Sequence, residues 1–536
     1  MAMREHGRFT RPGTFALWTF VIAGLVLGAC TKSPPAPEVM ANGETLQGAW
    51  TGSAEDIAVF KGVPFAAPPV GDLRWRAPRP HQPRPGMQAA QEFAPACMQT
   101  DYIVDWYARV AVAFGNKADV VGRPNGVSED CLFLNIWTPS LAAGAKLPVM
   151  IYAHGGSNTG GWSYEPNYVG DRLAKRGVVV VSIAYRLGPL GFFSHPALDN
   201  GPREPVANFG LLDIEQAFRW VKQNIENFGG DAGNITGFGE SAGAGNLLML
   251  ALAGKDRDHL FQRIIAQSTG ASTAELGTLE EEKVRGQALV KAAGLGADAS
   301  IAQLRALPAK DLVKAADTSL KGRYFSPVLD GLTLVQQPLD ALASGRGRKL
   351  DLLIGTNADE WYMYIDPTIG SEEVNLWIAD TAPAYAGSLL AEIDEEPDPR
   401  KAMDRLRTAR DTLCPSRYVA GAISRQGGQG FVYYFTRRRP GAGGAELGVY
   451  HGAELPYVFD QHDSWLPTDD QDRALSQAMM DYWSSFAKNG RPQATNHPGW
   501  PVYTASRQYV MELGNQIHIV KPHDDVLCRY LGPKEK

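Results

Sequence analysis

The chain has 536 residues, of which 44% are hydrophobic and 21% are charged, so it holds enough apolar material for a large core in one or two domains. Its formal net charge is -6, and its Lys and Arg residues are spread along the chain rather than clustered. This distribution excludes the basic surface field that is typical of nucleic-acid binding, and we expect no nucleic-acid partner.

The first 30 residues have the pattern of an export signal. Arginines precede an apolar run over residues 15–27, which is too short to span a bilayer comfortably. Small residues then lead into Cys30, and a Pro-rich stretch suited to a semi-rigid spacer follows. The segment resembles the lipobox of bacterial lipoproteins, in which the cysteine carries lipid and becomes the mature N-terminus. The alternative is an ordinary cleaved signal peptide in which Cys30 is incidental.

These features divide the chain into three parts. We predict a signal peptide over residues 1–30, a linker over 31–42 and a single domain over 43–536, where no repeat or second linker interrupts the sequence. The lipobox resemblance implies a protein of the bacterial periplasm or outer membrane, held to the membrane only by an N-terminal lipid anchor. Without acylation, we expect a secreted protein.

The cysteines agree with export. If Cys30 carries lipid, four cysteines remain, an even number that suits an oxidising compartment. Four cysteines allow three pairings. Proximity in the sequence favours Cys97 with Cys131, which leaves Cys414 for Cys528. Four buried free thiols are the alternative.

The remaining sequence predicts an α/β fold with a mostly parallel sheet flanked by helices. Short apolar segments alternate with longer helical stretches, and the valine run at 178–181 suits a strand that is covered on both faces. A helix is predicted over 211–228 from apolar residues at spacings of three and four. Strands are predicted over 148–153, 178–183, 264–267, 350–354 and 431–435. In such sheets ligands bind beyond the carboxyl ends of the strands.

A candidate nucleophile follows one strand-like segment. Residues 239–243 read Gly-Glu-Ser-Ala-Gly between a β-like stretch and a helix-compatible one. A serine between small residues at such a junction is the pattern of a nucleophile elbow, which exposes the Ser241 hydroxyl at the start of a helix. Because Gly and Ser are also common turn residues, it is the strand–turn–helix setting that supports the prediction.

Here the chain resembles the type-B carboxylesterase family, which includes the cholinesterases. The similarity covers the sequence from about residue 48 to the C-terminus. It implies an α/β-hydrolase fold for the domain over 43–536, and bridges Cys97–Cys131 and Cys414–Cys528. Matching segments stand at 62–71, 129–137, 185–192, 208–213 and 228–230.

A serine nucleophile needs a histidine to accept its proton. The histidine follows the acid in the chain order of this fold. His451 lies in a loop after the strand at 431–435 and matches the family's catalytic His-Gly position, whereas His462 and His523 are the competing candidates. Since His451 must be neutral to act as base, we expect activity to rise through roughly pH 6 to 7.5.

A carboxylate must hold the tautomer of that histidine. Residues 352–360 run from a strand into an Asn-Ala-Asp-Glu loop, where Asp359 and Glu360 both qualify chemically. The resemblance selects Glu360, because the family's motif places the catalytic carboxylate last. Asp359 and Asp330 are the alternatives.

The oxyanion formed in acyl transfer needs preorganised N–H donors. The N–H of Ala242, directly after the nucleophile, is the first. By alignment with the family's His-Gly-Gly-Gly loop, Gly156 and Ser157 supply the others, with Ser157 in place of the usual third glycine. If that position requires positive φ, serine is strained there; alternatively its hydroxyl adds a donor. His154 is expected to be structural.

The resemblance implies a serine carboxylesterase that needs no metal or cofactor and takes a small-molecule ester as its partner. Trp361 to Tyr364, with Tyr102, Trp106 and Tyr107, are candidates to line an apolar gorge or to pack in the core. Glu240, beside the nucleophile, is similar to the residue of choline-responsive members of the family. The loop between Cys97 and Cys131 lacks the tryptophan that those enzymes carry about ten residues before the second cysteine, since Trp106 lies nearer the other end, and we predict no cholinesterase. The rivals are an amide or lactone hydrolase and a non-catalytic binding protein of the same fold. The sequence predicts no oligomeric state.

Overall fold

The computed structural model describes residues 34–534 apart from 52–55, 199–200, 202, 255–259, 271–272, 321–323 and 347–349. The predicted signal peptide and Cys30 therefore lie outside the described residues. The chain divides into a unit of residues 1–35 and a compact unit that begins at Ala36. The first strand, Glu38–Ala41, starts within the predicted linker at 31–42, because its alternation buries Val39 and Ala41.

The strands alternate with helices along most of the described chain. They are β1 (Glu38–Ala41), β2 (Glu44–Gln47), β3 (Ala49–Thr51), β4 (Ile57–Pro64), β5 (Met87–Ala89), β6 (Ala96–Cys97), β7 (Val127–Ser128), β8 (Phe133–Thr138), β9 (Leu147–Ala153), β10 (Val179–Ile183), β11 (Gly230–Glu240), β12 (Arg263–Gln267), β13 (Gly277–Thr278), β14 (Val328–Leu329), β15 (Asp351–Asn357), β16 (Gln429–Phe435), β17 (Val510–Leu513) and β18 (Ile517–Val520).

In chain order, most of the helices lie between strands of the central sheet. They are α1 (Tyr102–Ala113), α2 (Asp171–Ala174), α3 (Gly188–Gly191), α4 (Phe209–Asn224), α5 (Ser241–Leu252), α6 (Leu279–Ala292), α7 (Ile301–Ala306), α8 (Ala309–Leu320), α9 (Pro338–Ala343), α10 (Ser371–Thr381), α11 (Ala386–Ile393), α12 (Pro399–Thr408), α13 (Cys414–Arg425), α14 (Ala442–Leu447), α15 (Leu455–Val458), α16 (Asp470–Asn489) and α17 (Asp525–Leu531). A π-helical turn, Ala409–Leu413, joins α12 to α13.

The central sheet has 11 strands within the described residues, in the order β18-β17-β16-β15-β12-β11-β9-β10-β8-β4-β3. The strands from β17 to β10 along this order run parallel to their neighbours. Antiparallel pairs complete both edges. The carboxyl ends of β9, β11, β15 and β16 therefore meet at one edge of the sheet, where the candidate site residues follow them.

Alternating side chains place the core on both faces of this sheet. In β9, Ile151 packs in the cluster that also holds Leu247 of α5, whereas Tyr152 packs in the cluster that holds Trp483 of α16. Successive side chains of a strand point to opposite faces, so an apolar strand requires helices on both sides. The five predicted strands correspond to β9, β10, β12, β15 and β16, and the predicted helix to α4 with a 3-10 turn, Ile225–Phe228.

A separate helical cluster has its own apolar core and is built from α10, α11 and α12, which lie between β15 and β16 in the chain, and from α17, which follows β18. No pattern in the sequence predicted it. The bridge Cys414–Cys528 joins α17 of this cluster to the start of α13, and Cys97–Cys131 closes the loop that carries α1. Both bridges follow the expected pairing. Among the described residues, no helix is long and apolar enough to cross a bilayer.

Candidate active site

The candidate nucleophile lies where β11 turns into α5. Ser241 is the first residue of α5 and has φ of +53°, a left-handed conformation that a non-glycine residue rarely adopts. The flanking glycines allow this turn. A Cβ atom on Gly243 would lie 2.1 Å from the carbonyl oxygen of Ala153, and one on Gly239 would lie 2.6 Å from the same atom. The elbow is therefore fixed by close approach of backbone to backbone.

The candidate base and acid meet through a short hydrogen bond. Nδ1 of His451 donates to Oε2 of Glu360 at 2.5 Å. The other carboxylate oxygen of Glu360 accepts the Asn357 N–H at 2.8 Å and the Thr356 hydroxyl at 2.7 Å. The Thr412 hydroxyl, on the π-helical turn, lies 2.7 Å from that of Thr356. The carboxylate is thus oriented by β15 and by its own loop, and the π-helical turn supports Thr356 through Thr412.

Charge and burial shift the pKa values of Glu360 and His451 in opposite directions. Burial raises the pKa of Glu360, but the charge and hydrogen bond of His451 lower it below its usual value. Burial lowers the pKa of His451, yet the carboxylates of Glu240 and Glu360 outweigh this effect and raise it to about 10. The protonated histidine is therefore strongly stabilised by two acidic neighbours.

Glu240 is a neighbour whose contact with the base the sequence did not predict. Its Oε1 lies 3.1 Å from Nε2 of His451, and its side chain is buried. Burial raises the pKa of Glu240 to about 8, although the charge of His451 opposes this. Ser241 and His451 line one cavity of about 250 Å³. Within the described residues the Ser241 hydroxyl makes no hydrogen bond, and such catalytic contacts often tighten only when substrate binds.

The competing acids have other partners. Asp359 accepts the N–H of Val449 at 2.7 Å, and so holds the loop that leads to His451. Asp330 accepts three backbone N–H groups of its own turn, from residues 332 to 334. The structure therefore places Glu360, and neither Asp359 nor Asp330, against His451.

The competing histidines are engaged elsewhere. His462 contacts the Ser476 hydroxyl at 2.9 Å, and burial lowers its pKa to about 3. His523 contacts Glu512 at 3.2 Å near the sheet edge. His154 stacks on Tyr185, and burial lowers its pKa to about 4, so it stays neutral inside the fold.

The candidate oxyanion loop follows β9. Gly156 has φ of +94°, and a Cβ atom there would lie 2.1 Å from the carbonyl oxygen of Gly160. Ser157 also has positive φ, +58°, so serine occupies a conformation that favours glycine. Its side chain faces the hydroxyl of Tyr102 on α1, which also lines the cavity. Ser157 and Ala242 line the cavity beside Ser241.

The aromatic residues divide between cavity and core. Trp361 and Tyr364 line the main cavity, while Met363 is fully buried in the core. A smaller cavity of about 60 Å³ is lined by Trp106 and Tyr107, together with Ser241 and His451. No group of side chains in the described ranges could hold a metal ion.

Comparison with known proteins identifies the family. The model of the "Carboxylesterase family" matches residues 35–525. The chain is 35% identical over 531 residues to the fumonisin B1 esterase of Sphingopyxis macrogoltabida, covering 95% of this chain and 92% of the relative. It is 32% identical over 496 residues to the para-nitrobenzyl esterase of Bacillus subtilis (strain 168), covering 89% of this chain and 95% of that relative.

Solved structures of esterases superpose on this chain over most of its length. A PNB esterase superposes with a TM-score of 0.77 at 29% identity, covering 92% of this chain and 100% of that one. A carboxylesterase of Geobacillus stearothermophilus superposes with a TM-score of 0.78 at 28% identity, covering 92% and 99%. The chain belongs to the carboxylesterase family. It has the predicted α/β-hydrolase fold and is a carboxylic ester hydrolase.

Proposed function

We propose that the protein is a serine carboxylesterase in which Ser241 is the nucleophile, His451 the general base and Glu360 the acid that orients the base. The observation that carries this proposal is the position of His451, which is bound to Glu360 at 2.5 Å and lines the same cavity as the strained Ser241. A buried carboxylate on Nδ1 holds the tautomer in which Nε2 of the neutral ring accepts the proton of the serine.

The reaction follows from these positions. Ser241 attacks the ester carbonyl while His451 takes its proton, and a tetrahedral intermediate forms. The intermediate collapses as His451 returns the proton to the departing alcohol, leaving an acyl group on Ser241. Water, activated by the same histidine, then releases the carboxylic acid and restores the serine.

The N–H groups of Gly156, Ser157 and Ala242 are proposed to hold the oxyanion. All three stand beside Ser241, on two turns that close backbone approaches fix in place. Donors that are fixed before the reaction stabilise developing charge without reorganisation. At Ser157 we assign the donor role to the backbone N–H, as at Gly156 and Ala242, because the backbone of the turn is fixed before the reaction.

The substrate class proposed is a broad set of aromatic and medium-sized alkyl esters. The cavity volume of about 250 Å³ and the Trp361 and Tyr364 rings in its wall suit such groups. Two relatives are named for esterase activity on a para-nitrobenzyl ester and on fumonisin B1. If folded protein hydrolyses neither short-chain nor aromatic nitrophenyl esters, this substrate class is wrong.

Labelling with a fluorophosphonate probe tests the nucleophile. Purified protein is incubated with the probe, and the adduct is located by peptide mass spectrometry, with Ser241→Ala alongside. We expect labelling at Ser241 that disappears in the variant, and loss of ester hydrolysis by at least about 10⁴-fold. Folded protein that stays unlabelled would favour the binding-protein alternative, and labelling at another serine would refute the assignment.

We also propose the organisation of the whole chain. Residues 1–30 would be a lipoprotein signal with Cys30 as the acylated residue, followed by a short linker up to Pro35 and the catalytic domain from Ala36. Two disulfides are typical of proteins that fold in an oxidising compartment, which supports export. Mass spectrometry of the mature N-terminus, with Cys30→Ala as control, tests the lipid anchor.

A further inference from the structure

Two cavities meet at the candidate nucleophile. The main cavity of about 250 Å³ and the small cavity of about 60 Å³ share five lining residues, which are Tyr102, Ser157, Ser241, Tyr364 and His451. Ser157 belongs to the proposed oxyanion hole, so an ester carbonyl bound there lies on the border between the two cavities. The acid part and the alcohol part of an ester leave the carbonyl carbon in different directions, and each cavity can therefore take one of them.

The two ring nitrogens of His451 face different cavities. Nδ1 lies 2.5 Å from Oε2 of Glu360, which lines the main cavity. Nε2 lies 3.1 Å from Oε1 of Glu240, which lines the small cavity. In the proposed reaction Nε2 is the nitrogen that returns a proton to the departing alcohol. The alcohol oxygen must come within hydrogen-bonding distance of Nε2, so the alcohol part of the ester lies on the side of the small cavity.

An aromatic pair bounds the small cavity. Nε1 of Trp106, on α1, donates to the Tyr364 hydroxyl at 2.7 Å, and both side chains line the cavity. A Cβ atom on Gly452 would lie 3.8 Å from Cη2 of Trp106 and 3.8 Å from Oε1 of Glu240, so the indole reaches close to the carboxylate that faces Nε2. The Tyr364 side chain is 38% exposed, which places the pair on the solvent side of the cavity. A long alcohol group would have to displace this pair.

The volumes of the two cavities set unequal limits on the two parts of an ester. The small cavity, about 60 Å³, is about twice the roughly 30 Å³ that one water molecule takes in the liquid. That space suits a methyl or an ethyl group. The main cavity, about 250 Å³, has Met249 and Phe325 in its wall and has room for a medium-sized or aromatic acid.

We propose that Trp106, held by Tyr364, is a specificity-determining residue that restricts the alcohol part of the ester to small alkyl groups, so that the enzyme prefers methyl and ethyl esters of larger acids. The inference rests on the proposed esterase function and deepens it, because it assigns the larger group of the substrate to the acid. In this account Trp106 contacts the alcohol group and takes no part in proton transfer.

Two series of alkyl esters test this assignment. The first keeps phenylacetic acid and changes the alcohol from methanol to ethanol, butanol and hexanol. The second keeps methanol and changes the acid from acetic to butanoic, hexanoic and phenylacetic acid. Acid release is followed by titration at constant pH, because nitrophenolate leaves without a proton and need not lie at Nε2. We expect kcat/KM to fall by at least about tenfold from the ethyl to the butyl ester, and not to fall with the size of the acid.

Two variants change the wall of the small cavity. Trp106→Leu enlarges the cavity, and we expect it to raise kcat/KM for the butyl ester by at least about tenfold, with the methyl ester changed less than about threefold. Tyr364→Phe keeps the ring and removes the hydroxyl that accepts the Trp106 N–H. We expect a smaller increase for the butyl ester, about threefold, and this variant carries the test if Trp106→Leu does not fold.

Trp465→Leu is the matched control. Trp106 and Trp465 both pack against the apolar cluster around α1, but Trp465 is not among the described residues that line either cavity. The control should leave both series unchanged. If it admits the butyl ester as well as Trp106→Leu does, the limit comes from the packing of α1, and the inference is overturned.

The remaining outcomes separate the inference from the proposed function. Rates that fall with the size of the acid instead would place the alcohol in the main cavity, and equal rates along the alcohol series would mean that the small cavity sets no limit. Either result overturns the inference, as does an unchanged preference in both Trp106→Leu and Tyr364→Phe. In each case, hydrolysis of methyl esters and fluorophosphonate labelling at Ser241 would leave the esterase proposal standing. Failure of labelling and of all ester hydrolysis would instead refute the esterase proposal.

Discussion

The nucleophile side and the acid–base side of this site are held by different kinds of contact. Ser241 and the oxyanion loop stand on turns after β11 and β9 where backbone approaches backbone, with no space for a Cβ atom at Gly243. Glu360 and His451 stand on longer loops after β15 and β16, and side-chain hydrogen bonds from Thr356 and Asn357 hold them. A Cβ atom added at such a close approach forces the turn to shift, whereas a hydrogen-bonded arrangement can lose one partner and keep its shape.

The largest effect expected on the acid–base side comes from Glu360→Gln. The amide keeps the size of the side chain but cannot stabilise the histidine cation or its correct tautomer, so we expect kcat to fall by about 10⁴-fold. The melting temperature should change little, because the Thr356 and Asn357 donors keep an oxygen to bind. Steady-state kinetics with a nitrophenyl ester measures the loss.

Asp359→Asn is the matched control for that prediction, since Asp359 precedes Glu360 and binds Val449 instead of the histidine. We expect a loss of less than about tenfold, because the substitution keeps the backbone trace and removes no contact of His451. An equal loss of kcat in both variants would show that Glu360 is not the residue that orients His451.

A smaller loss of activity with a larger loss of stability is expected on the nucleophile side from Gly243→Ala. The added methyl group would meet the Ala153 carbonyl oxygen at 2.1 Å, so the elbow must shift. We expect about 100-fold lower kcat and a destabilisation of about 1–3 kcal/mol. Thermal unfolding and kinetics together measure both effects.

Gly387→Ala serves as the control, because no atom lies within 4 Å of a Cβ built at this helical position. It should leave activity unchanged and stability equal or slightly higher, since alanine is the better helix former. If Gly243→Ala behaved in the same way, backbone fit would not be what positions Ser241.

The smallest effect expected is a shift of the pH profile in Glu240→Gln. The wild-type acid limb should lie above the window of roughly pH 6 to 7.5 that an ordinary histidine gives, because carboxylates raise the pKa of His451 to about 10. Removing the charge of Glu240 lowers that pKa, so activity should begin to rise at lower pH. The profile of kcat/KM against pH measures the shift.

Glu282→Gln is a suitable comparison for the pH experiment. Glu282 is another buried carboxylate whose pKa burial raises, to about 7, but it pairs with Arg285 on α6. Its substitution should leave the acid limb in place. If the acid limb of Glu240→Gln moved to higher pH, the charge of Glu240 would not be what raises the pKa of His451.

Much of the fold and of the candidate site could be predicted because the signals are local. The strand cores are visible as apolar runs, and the elbow is a pattern of five consecutive residues, although the contact that requires its glycines is with Ala153 on the neighbouring strand. The positive φ of Ser157 corresponds to the first of the two alternatives for this position, in which serine occupies a conformation that favours glycine. The helical cluster of α10 to α12 was not predicted, because the sequence of an amphipathic helix does not show which other helices it packs against.

The sequence alone indicated the family and the candidate serine, carboxylate and histidine. It also predicted that these three follow different strands, in that order along the chain. The family resemblance selected Glu360 over Asp359, but only the tertiary structure gave its 2.5 Å contact with His451 and placed Glu240 against the other nitrogen of the same ring. Such pairs join residues far apart in the chain. Their distances depend on how loops from different strands converge at one edge of the sheet, which no local pattern encodes.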